Sequence, residues 1–351
     1  MTLKKVRYLV MLICFMMVIT GCASESNIAE EKKLPISENF FIFDTIVSIR
    51  VYDERVNEQH FTDMKQLLEE IDQKMNRMVE GSEVSEVNKQ AGKAAVTVSE
   101  DTFLVIKTAK DYAEQSAGSF DPTIGPLVDL WAIGNGGTTV PERAKITAAQ
   151  SLIDYNNLVL DENKLEIKLL EAGMTIDLGA IAKGYAADVI AAYLQEQGFE
   201  SAIIDLGGNI LAMGSKPGGQ AWSIGVQSPE EKRGDHLGTL PVTNKTVVTS
   251  GVYERYFIEN EQVYHHVLDR KTGFPVQNEL ASVTIVTENS MNADALSTAT
   301  FVLGLKQGMA FIEQLDYAEA IFVTNDHQVY ISTDLKDKFT LTNSNYSLAE
   351  F

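Results

Sequence analysis

Asp177-Leu178-Gly179-Ala180-Ile181-Ala182-Lys183-Gly184-Tyr185-Ala186-Ala187-Asp188 joins a short extended run, Met174 to Asp177, to a helical pattern. Ile181, Ala182, Tyr185, Ala186, Val189, Ile190 and Tyr193 recur near 3.6-residue spacing, which predicts a helix buried along one face. Gly179 at the junction permits a close backbone approach to a ligand, and a helix N-terminus offers free N–H groups and partial positive charge to a phosphate. Lys183 adds a point charge, and Asp177 can accept hydrogen bonds. A Walker A loop is excluded, because Tyr185 follows Gly184 where that motif requires Lys and then Ser or Thr. Taken alone, the stretch is better explained as a plain strand-to-helix turn with a solvated lysine.

The 351 residues suffice for one large domain or two modest ones with a full core. The formal charge of −20 argues against nucleic acid as a partner, since phosphate neutralisation needs basic surface. Any anionic ligand must therefore meet a local site. Lys4, Lys5 and Arg7 precede an apolar run from Tyr8 to Ile19, too short for a comfortable membrane span. The run ends in Ile19-Thr20-Gly21-Cys22, which resembles a bacterial lipobox. We therefore expect residues 1–21 to be a lipoprotein signal peptide, 22–39 an acidic and polar tether, and 40–351 the folded domain. The expected location is the extracytoplasmic face of the membrane, with lipid (palmitate among the acyl chains) on Cys22. Loss of residues 1–21 removes three of 29 bases and none of 49 acids, which leaves a charge of about −23. Cys14 leaves with that segment and Cys22 is acylated, so no thiol remains for a disulfide, zinc or nucleophilic catalysis.

Along the domain, alternation predicts a first strand over Phe41–Val51, and apolar spacing predicts helices over Gln59–Met78 and Asp101–Ser116. Residues 81–98 read as loop. A rigid turn, Gly118 to Leu127, leads into a short helix ending at Ile133, and Tyr155–Asp177 reads as short strands turning near Glu162-Asn163. Ser201–Leu211 is a buried strand interrupted at Gly207-Gly208-Asn209. Strand signals fill Trp222–Val267, with a hairpin at Glu259-Asn260-Glu261, and return over Ser282–Val286. Helices follow at Asn292–Leu303 and Lys306–Gln314, then strands at Ala320–Thr324 and Gln328–Ser332. The fold class is α+β, a single compact two-lobed domain of mixed sheets and helices.

None of His60, His236, His265, His266 and His327 forms a His-x-x-x-His pair, and Gly-x-Ser-x-Gly is absent. Zinc hydrolases and the commonest serine hydrolases are thereby disfavoured. In Met291-Asn292-Ala293-Asp294-Ala295-Leu296-Ser297-Thr298-Ala299, a helix would place Asp294, Ser297 and Thr298 on one face. Such hard oxygen donors suit Mg²⁺. The competing reading makes Asn292 or Asp294 a helix N-cap.

Six stretches in order then decide the matter: Gly118-x-Phe120-Asp121-Pro122-Thr123-x-Gly125-Pro126-Leu127, Asp177-Leu178-Gly179-x-x-Ala182-Lys183-Gly184, Asp205-Leu206-Gly207-Gly208-Asn209, Thr249-Ser250-Gly251-Val252-Tyr253-Glu254-Arg255, His266-Val267-Leu268-Asp269 with Thr272-Gly273-x-Pro275, and Asp294-Ala295-Leu296-Ser297-Thr298-Ala299. Over residues 40–335 the chain resembles the FAD:protein FMN transferases, the ApbE-type family. The resemblance implies Mg²⁺-dependent transfer of the FMN half of FAD to a Thr or Ser hydroxyl of another protein, with AMP leaving. It assigns metal ligation to the Ala180 carbonyl, Asp294, Ser297 and Thr298. It assigns FAD contacts to Phe43, Met78, Ser119, Phe120, Asp121, Asp177, Lys183 and Leu268. His266, with an ordinary pKa near 6.5, is the candidate base, and Asp294 the alternative.

Asp44-Thr45 replaces the family's Gly-Thr, which affects the backbone at Phe43, and Met78 is placed only by its offset from Ser82. The acceptor signature expected of the partner is Asp-x-x-Ser/Thr-Gly-Ala-Ser/Thr; Asp294–Thr300 imitates it with Thr298 in place of the Gly, so self-modification at Thr300 needs an exposed hydroxyl. Alternative readings are FAD hydrolysis to FMN and AMP, an FAD-holding electron-transfer lipoprotein, and a solute-binding lipoprotein. If Cys22 carries the anchor, Cys22→Ala yields an unprocessed precursor or a released protein. Mass spectrometry that finds native Cys22 unmodified overturns the anchor.

Overall fold

The computed structural model describes residues 35–231 and 234–350; Cys22, the signal segment and the tether up to residue 34 lie outside the described residues. Nine strands form one sheet in the order β1 (Ile36–Ile42), β2 (Thr45–Val51), β6 (Ala202–Leu206), β7 (Asn209–Met213), β10 (Lys245–Gly251), β13 (Leu280–Thr287), β14 (Ala318–Thr324), β15 (Gln328–Ile331) and β17 (Ser347–Leu348). All neighbours pair antiparallel except β15 and β17. The strand expected over 41–51 is thus a hairpin that begins at Ile36, and residues 36–39 pair with β2 instead of belonging to a tether. Its two-residue turn, Phe43-Asp44, has both φ positive (56° and 55°), as the tight turns that match strand twist require. Asp tolerates that conformation where the family has Gly.

Helices α1 (Glu58–Met75), α3 (Glu100–Gln115), α6 (Ala182–Glu196) and α7 (Ser290–Ile312) contribute to the core on one face of the sheet. Strands β8 (Trp222–Gln227), β9 (His236–Val242) and β16 (Thr340–Leu341) form a second sheet that closes a separate core on the other face. All eight residues of β13 are therefore buried, because apolar layers cover both sides. A smaller lobe packs α4 (Gly125–Trp131) and α5 (Arg143–Gln150) against the hairpin β11 (Tyr256–Glu259) and β12 (Gln262–His265), around Trp131. Strands β3 (Val96–Thr97), β4 (Leu158–Asp161) and β5 (Glu166–Leu169) make the remaining small sheet.

The expected loop at 81–98 contains helix α2 (Glu83–Lys89), whose N-cap Ser82 Oγ accepts from Ser85 N–H at 3.0 Å. Helix α5 escaped the sequence reading as well. Both are short, and α5 buries one side chain, Ile146, too little for a periodic signal. Helix α7 does break where two helices were expected, at Gly304 with φ 76° and ψ 174°. It is long and apolar enough to cross a membrane, yet its apolar residues are core. Its N-cap is Asn289, whose side chain accepts from Asn292 N–H at 2.8 Å, so Asp294 lies inside the helix and is not its cap.

Helices α6 and α7 meet backbone to backbone. A Cβ on Gly184 would overlap the Ser290 carbonyl. Asp188, one turn along α6, caps α7 by accepting from Ser290 N–H and Met291 N–H, both at 2.8 Å. Burial pushes its carboxyl up to about 6, opposed by those two backbone bonds and reinforced by the nearby Asp294 charge. In an open helix, Gly→Ala gains about 0.5–1 kcal/mol. Here overpacking of about 1–3 kcal/mol wins. Gly184→Ala should therefore lower the urea midpoint; an unchanged or raised midpoint would show that the helix contact has slack.

Candidate active site

The two glycine motifs fold onto each other. Ile124 bridges Thr175 in parallel, Asp177 N–H donates to the Pro122 carbonyl at 2.8 Å, and a side chain at Gly125 would overlap Thr175. Asn88 of α2 clamps the run, accepting from Ile176 N–H at 2.7 Å and donating to its carbonyl at 3.0 Å. Asp177 Oδ1 accepts from Gly179 N–H at 2.8 Å, which makes the turn into α6. Its Oδ2 accepts from Arg77 Nε at 2.6 Å, and Arg77 Nη1 reaches Asp129 at 2.7 Å. Arg77 lies 100 positions from Asp177, and no local pattern marks it.

Helix α6 starts beside Ile181, which offers no side-chain cap. Lys183 Nζ donates to the Gly179 carbonyl at 3.0 Å and stands 3.7 Å from Asp294 Oδ2. Gly184 N–H, in the first turn of α6 where N–H groups have no acceptor within the helix, donates to Asp294 Oδ2 at 3.1 Å. Among the described residues the Ala180 carbonyl accepts no backbone bond and Asp294 Oδ1 has no partner. Thr298 is half-buried. Ser297 is fully buried, donates to the Asp294 carbonyl at 2.8 Å and lies 2.8 Å from Ser250 Oγ, so it stands behind the other three. Thr300 is also fully buried and donates to the Leu296 carbonyl at 2.7 Å, which removes it as an acceptor in this fold.

No cluster of three His, Cys, Asp or Glu side chains occurs among the described residues. The open oxygens nevertheless fit Mg²⁺: one carboxylate oxygen, one hydroxyl and one carbonyl leave room for the waters this ion retains.

His266 lies 3.3 Å through Nδ1 from the Arg255 carbonyl. A carbonyl only accepts, so Nδ1 carries the proton and Nε2 the basic lone pair. Burial pushes its pKa down to about 4, opposed by the bond to the Arg255 carbonyl and aided by the charges of His265, Arg255 and Lys183. The ordinary value of about 6.5 expected from sequence therefore does not hold. His265 is a core residue, with Nε2 2.9 Å from the Val276 carbonyl. Leu268 is buried in the smaller lobe's core.

The other expected FAD contacts divide by exposure. Met78 is exposed, while Phe43 and Ser119 are half-buried. Phe120 is buried in the main core. Asp121 is turned inward: Oδ1 accepts from Thr123 N–H at 2.9 Å and Oγ1–H at 2.6 Å, and Oδ2 accepts from Arg270 at 3.2 Å. Burial raises its pKa despite these partners. Asp121 and Arg270 thus brace the loop that carries Ser119.

The sequence profile of the ApbE family matches residues 43–322. A protein named FAD:protein FMN transferase from Klebsiella pneumoniae (strain 342) is 39% identical over 269 residues, 77% of this chain and 83% of that one. One of the same name from Treponema pallidum (strain Nichols) is 31% identical over 353 residues, 96% of each. The solved structure of the ApbE protein from Thermotoga maritima aligns with a TM-score of 0.79 at 32% identity, covering 87% of this chain and 99% of that one. The flavin transferase ApbE from Vibrio cholerae gives 0.76 at 27% identity with the same coverage, and its histidine-to-glycine mutant 0.75.

A folded pKa below the unfolded one means that the unfolded chain binds the extra proton between about pH 4 and pH 6.5. Stability therefore rises with pH across that window, and His266→Gln should flatten the rise. An NMR titration should place half-protonation of His266 near pH 4; a midpoint near 6.5 would mean a solvated ring.

Proposed function

The chain belongs to the ApbE family, and on that premise we propose that it transfers the FMN moiety of FAD onto a Thr or Ser hydroxyl of an acceptor protein, with AMP as leaving group. The observation that carries this reading is the junction of α6 and α7. It sets Lys183, the Ala180 carbonyl and the Asp294 carboxylate, which accepts from the first turn of α6 through one oxygen and keeps the other open, side by side.

The acceptor hydroxyl oxygen attacks the phosphorus on the riboflavin side of FAD. The bond from that phosphorus to the bridging oxygen breaks, AMP leaves with the electron pair, and the hydroxyl proton passes to a base. The pyrophosphate is anionic throughout, so Lys183 and the positive end of the α6 dipole stabilise both bound FAD and the transition state. Mg²⁺ held by Asp294, Thr298 and the Ala180 carbonyl, with Ser297 behind them, would supply further charge neutralisation on the phosphate oxygens. His266 is neutral at pH 7 with Nε2 unprotonated, and we assign it as the base, with Asp294 as the alternative. Phe43, Met78 and Ser119 offer surface to the flavin, Phe120 and Leu268 back it from the cores, and Asp121 and Asp177 hold the loops. The acceptor carries an Asp-x-x-Ser/Thr-Gly-Ala-Ser/Thr-like segment, and the enzyme works at the outer membrane face through lipid on Cys22.

Incubation with FAD, Mg²⁺ and such an acceptor should release one AMP per flavin bound to protein. AMP without bound flavin would indicate hydrolysis, and a yellow protein without AMP an electron carrier. Asp294→Ala should lower turnover by orders of magnitude with the fold intact; near wild-type transfer would overturn the ligand assignment. Lys183→Ala should raise KM for FAD and lower kcat, because it acts on charge present in both states. His266→Ala should lower kcat by about 10²–10⁴-fold and leave FAD affinity nearly unchanged. Lost affinity with an unchanged pH profile would move the base to Asp294.

A further inference from the structure

Asn209 is the residue of the Asp205–Asn209 motif to which the mechanism gives no part. It sits in a register row that crosses six strands, Val47, Leu206, Asn209, Val248, Ile285 and Ala320. The other five side chains belong to the core under the helices. Asn209 is 4% exposed, and its Nδ2 has no hydrogen-bond partner among the described residues. An unpaired buried donor costs about 1–3 kcal/mol, whereas an apolar side chain would complete the row without that cost. The position thus calls for a ligand.

What lies over the row identifies that ligand. Helix α7 runs along β10, tied at its start by Thr246 Oγ1 to Ser290 Oγ (3.1 Å) and further on by Ser250 Oγ to Ser297 Oγ (2.8 Å). Asp294 lies between these ties, above Val248, the residue paired with Asn209. Gly184 presses on Ser290, which brings the start of α6 against α7. Helix α6 packs against β6 and β7 as well as against α7. Lys183 stands 3.7 Å from Asp294 of the helix that covers this row, and its ammonium and the orphan amide donor both favour an anion.

We infer that Asn209 Nδ2 donates a hydrogen bond to a phosphate oxygen of bound FAD, from the sheet side of the site. The inference rests on the transferase reading and adds a binding residue to it. Gly207 and Gly208 (φ 67° and 104°) make the two-residue turn that starts β7 at Asn209, so the motif's glycines serve to place this amide.

The test measures equilibrium binding of FAD and of riboflavin, which has no phosphate, by the intact protein with Mg²⁺ and without acceptor. Asn209→Leu keeps the size and completes the apolar row; Asn209→Asp keeps the shape and turns the donor into an anion. Both should weaken FAD binding by about 10- to 100-fold, as loss of a charge-assisted bond implies, and leave riboflavin binding unchanged. Asn209→Leu should unfold at or above the wild-type temperature. Wild-type FAD affinity in either folded variant overturns the assignment, as does an equal loss of FAD and riboflavin binding. Failure of the wild-type protein to bind FAD would instead strike the transferase reading on which the assignment stands.

Discussion

The absence of one methyl group at Gly184 is the constraint on which this structure turns. Without a Cβ there, α6 and α7 touch through their backbones, and three consequences follow together. Asp188 reaches the N–H groups of Ser290 and Met291, so α7 is capped by its neighbour as well as by Asn289. The Gly184 N–H, which has no acceptor within its own helix, finds one in Asp294. Lys183, the next residue, comes within 3.7 Å of the same carboxylate. Stability and chemistry are joined here, because the contact that docks the helices also builds the donor set.

Electrostatics explains how a chain of charge −20 handles an anionic substrate. The cations around the site are matched unequally. Arg77 is held by Asp177 and Asp129 at 2.6 and 2.7 Å, and Arg270 by the buried Asp121 at 3.2 Å. These pairs brace loops and keep little charge for a ligand. Lys183 has the looser Asp294 contact at 3.7 Å and a bond to the Gly179 carbonyl, which carries no opposing charge. Local attraction therefore works against a repulsive surround, which favours a ligand that brings its charge neutralised by a cation.

The histidines show where local reading stops. His265 and His266 are adjacent, but β12 ends at His265 and the chain bends at His266. One enters the core against Phe301 and the other meets the Arg255 carbonyl at the edge of the site. Which of them could act as a base was a matter of resemblance, and the downward pKa shift of His266 was beyond any sequence argument. Desolvation depends on how many atoms from other elements surround the ring.

The sequence by itself determined the elements whose signals are local. Period-3.6 spacing marked α1, α3 and α6, the Gly304 break divided α7, and turn chemistry located the Asn260-Glu261 hairpin. Six ordered motifs also marked the residues of the site. Only the tertiary structure decided what each of those residues does. It turned Asp121 inward to Arg270, set Ser297 behind Thr298, brought Arg77 to Asp177 across 100 positions, and left Asn209 Nδ2 without a partner among the described residues. The physical reason is that helix and turn signals come from neighbours within a few residues. A hydrogen-bond partner, a buried charge or an orphan donor is set by contacts between segments far apart in the chain.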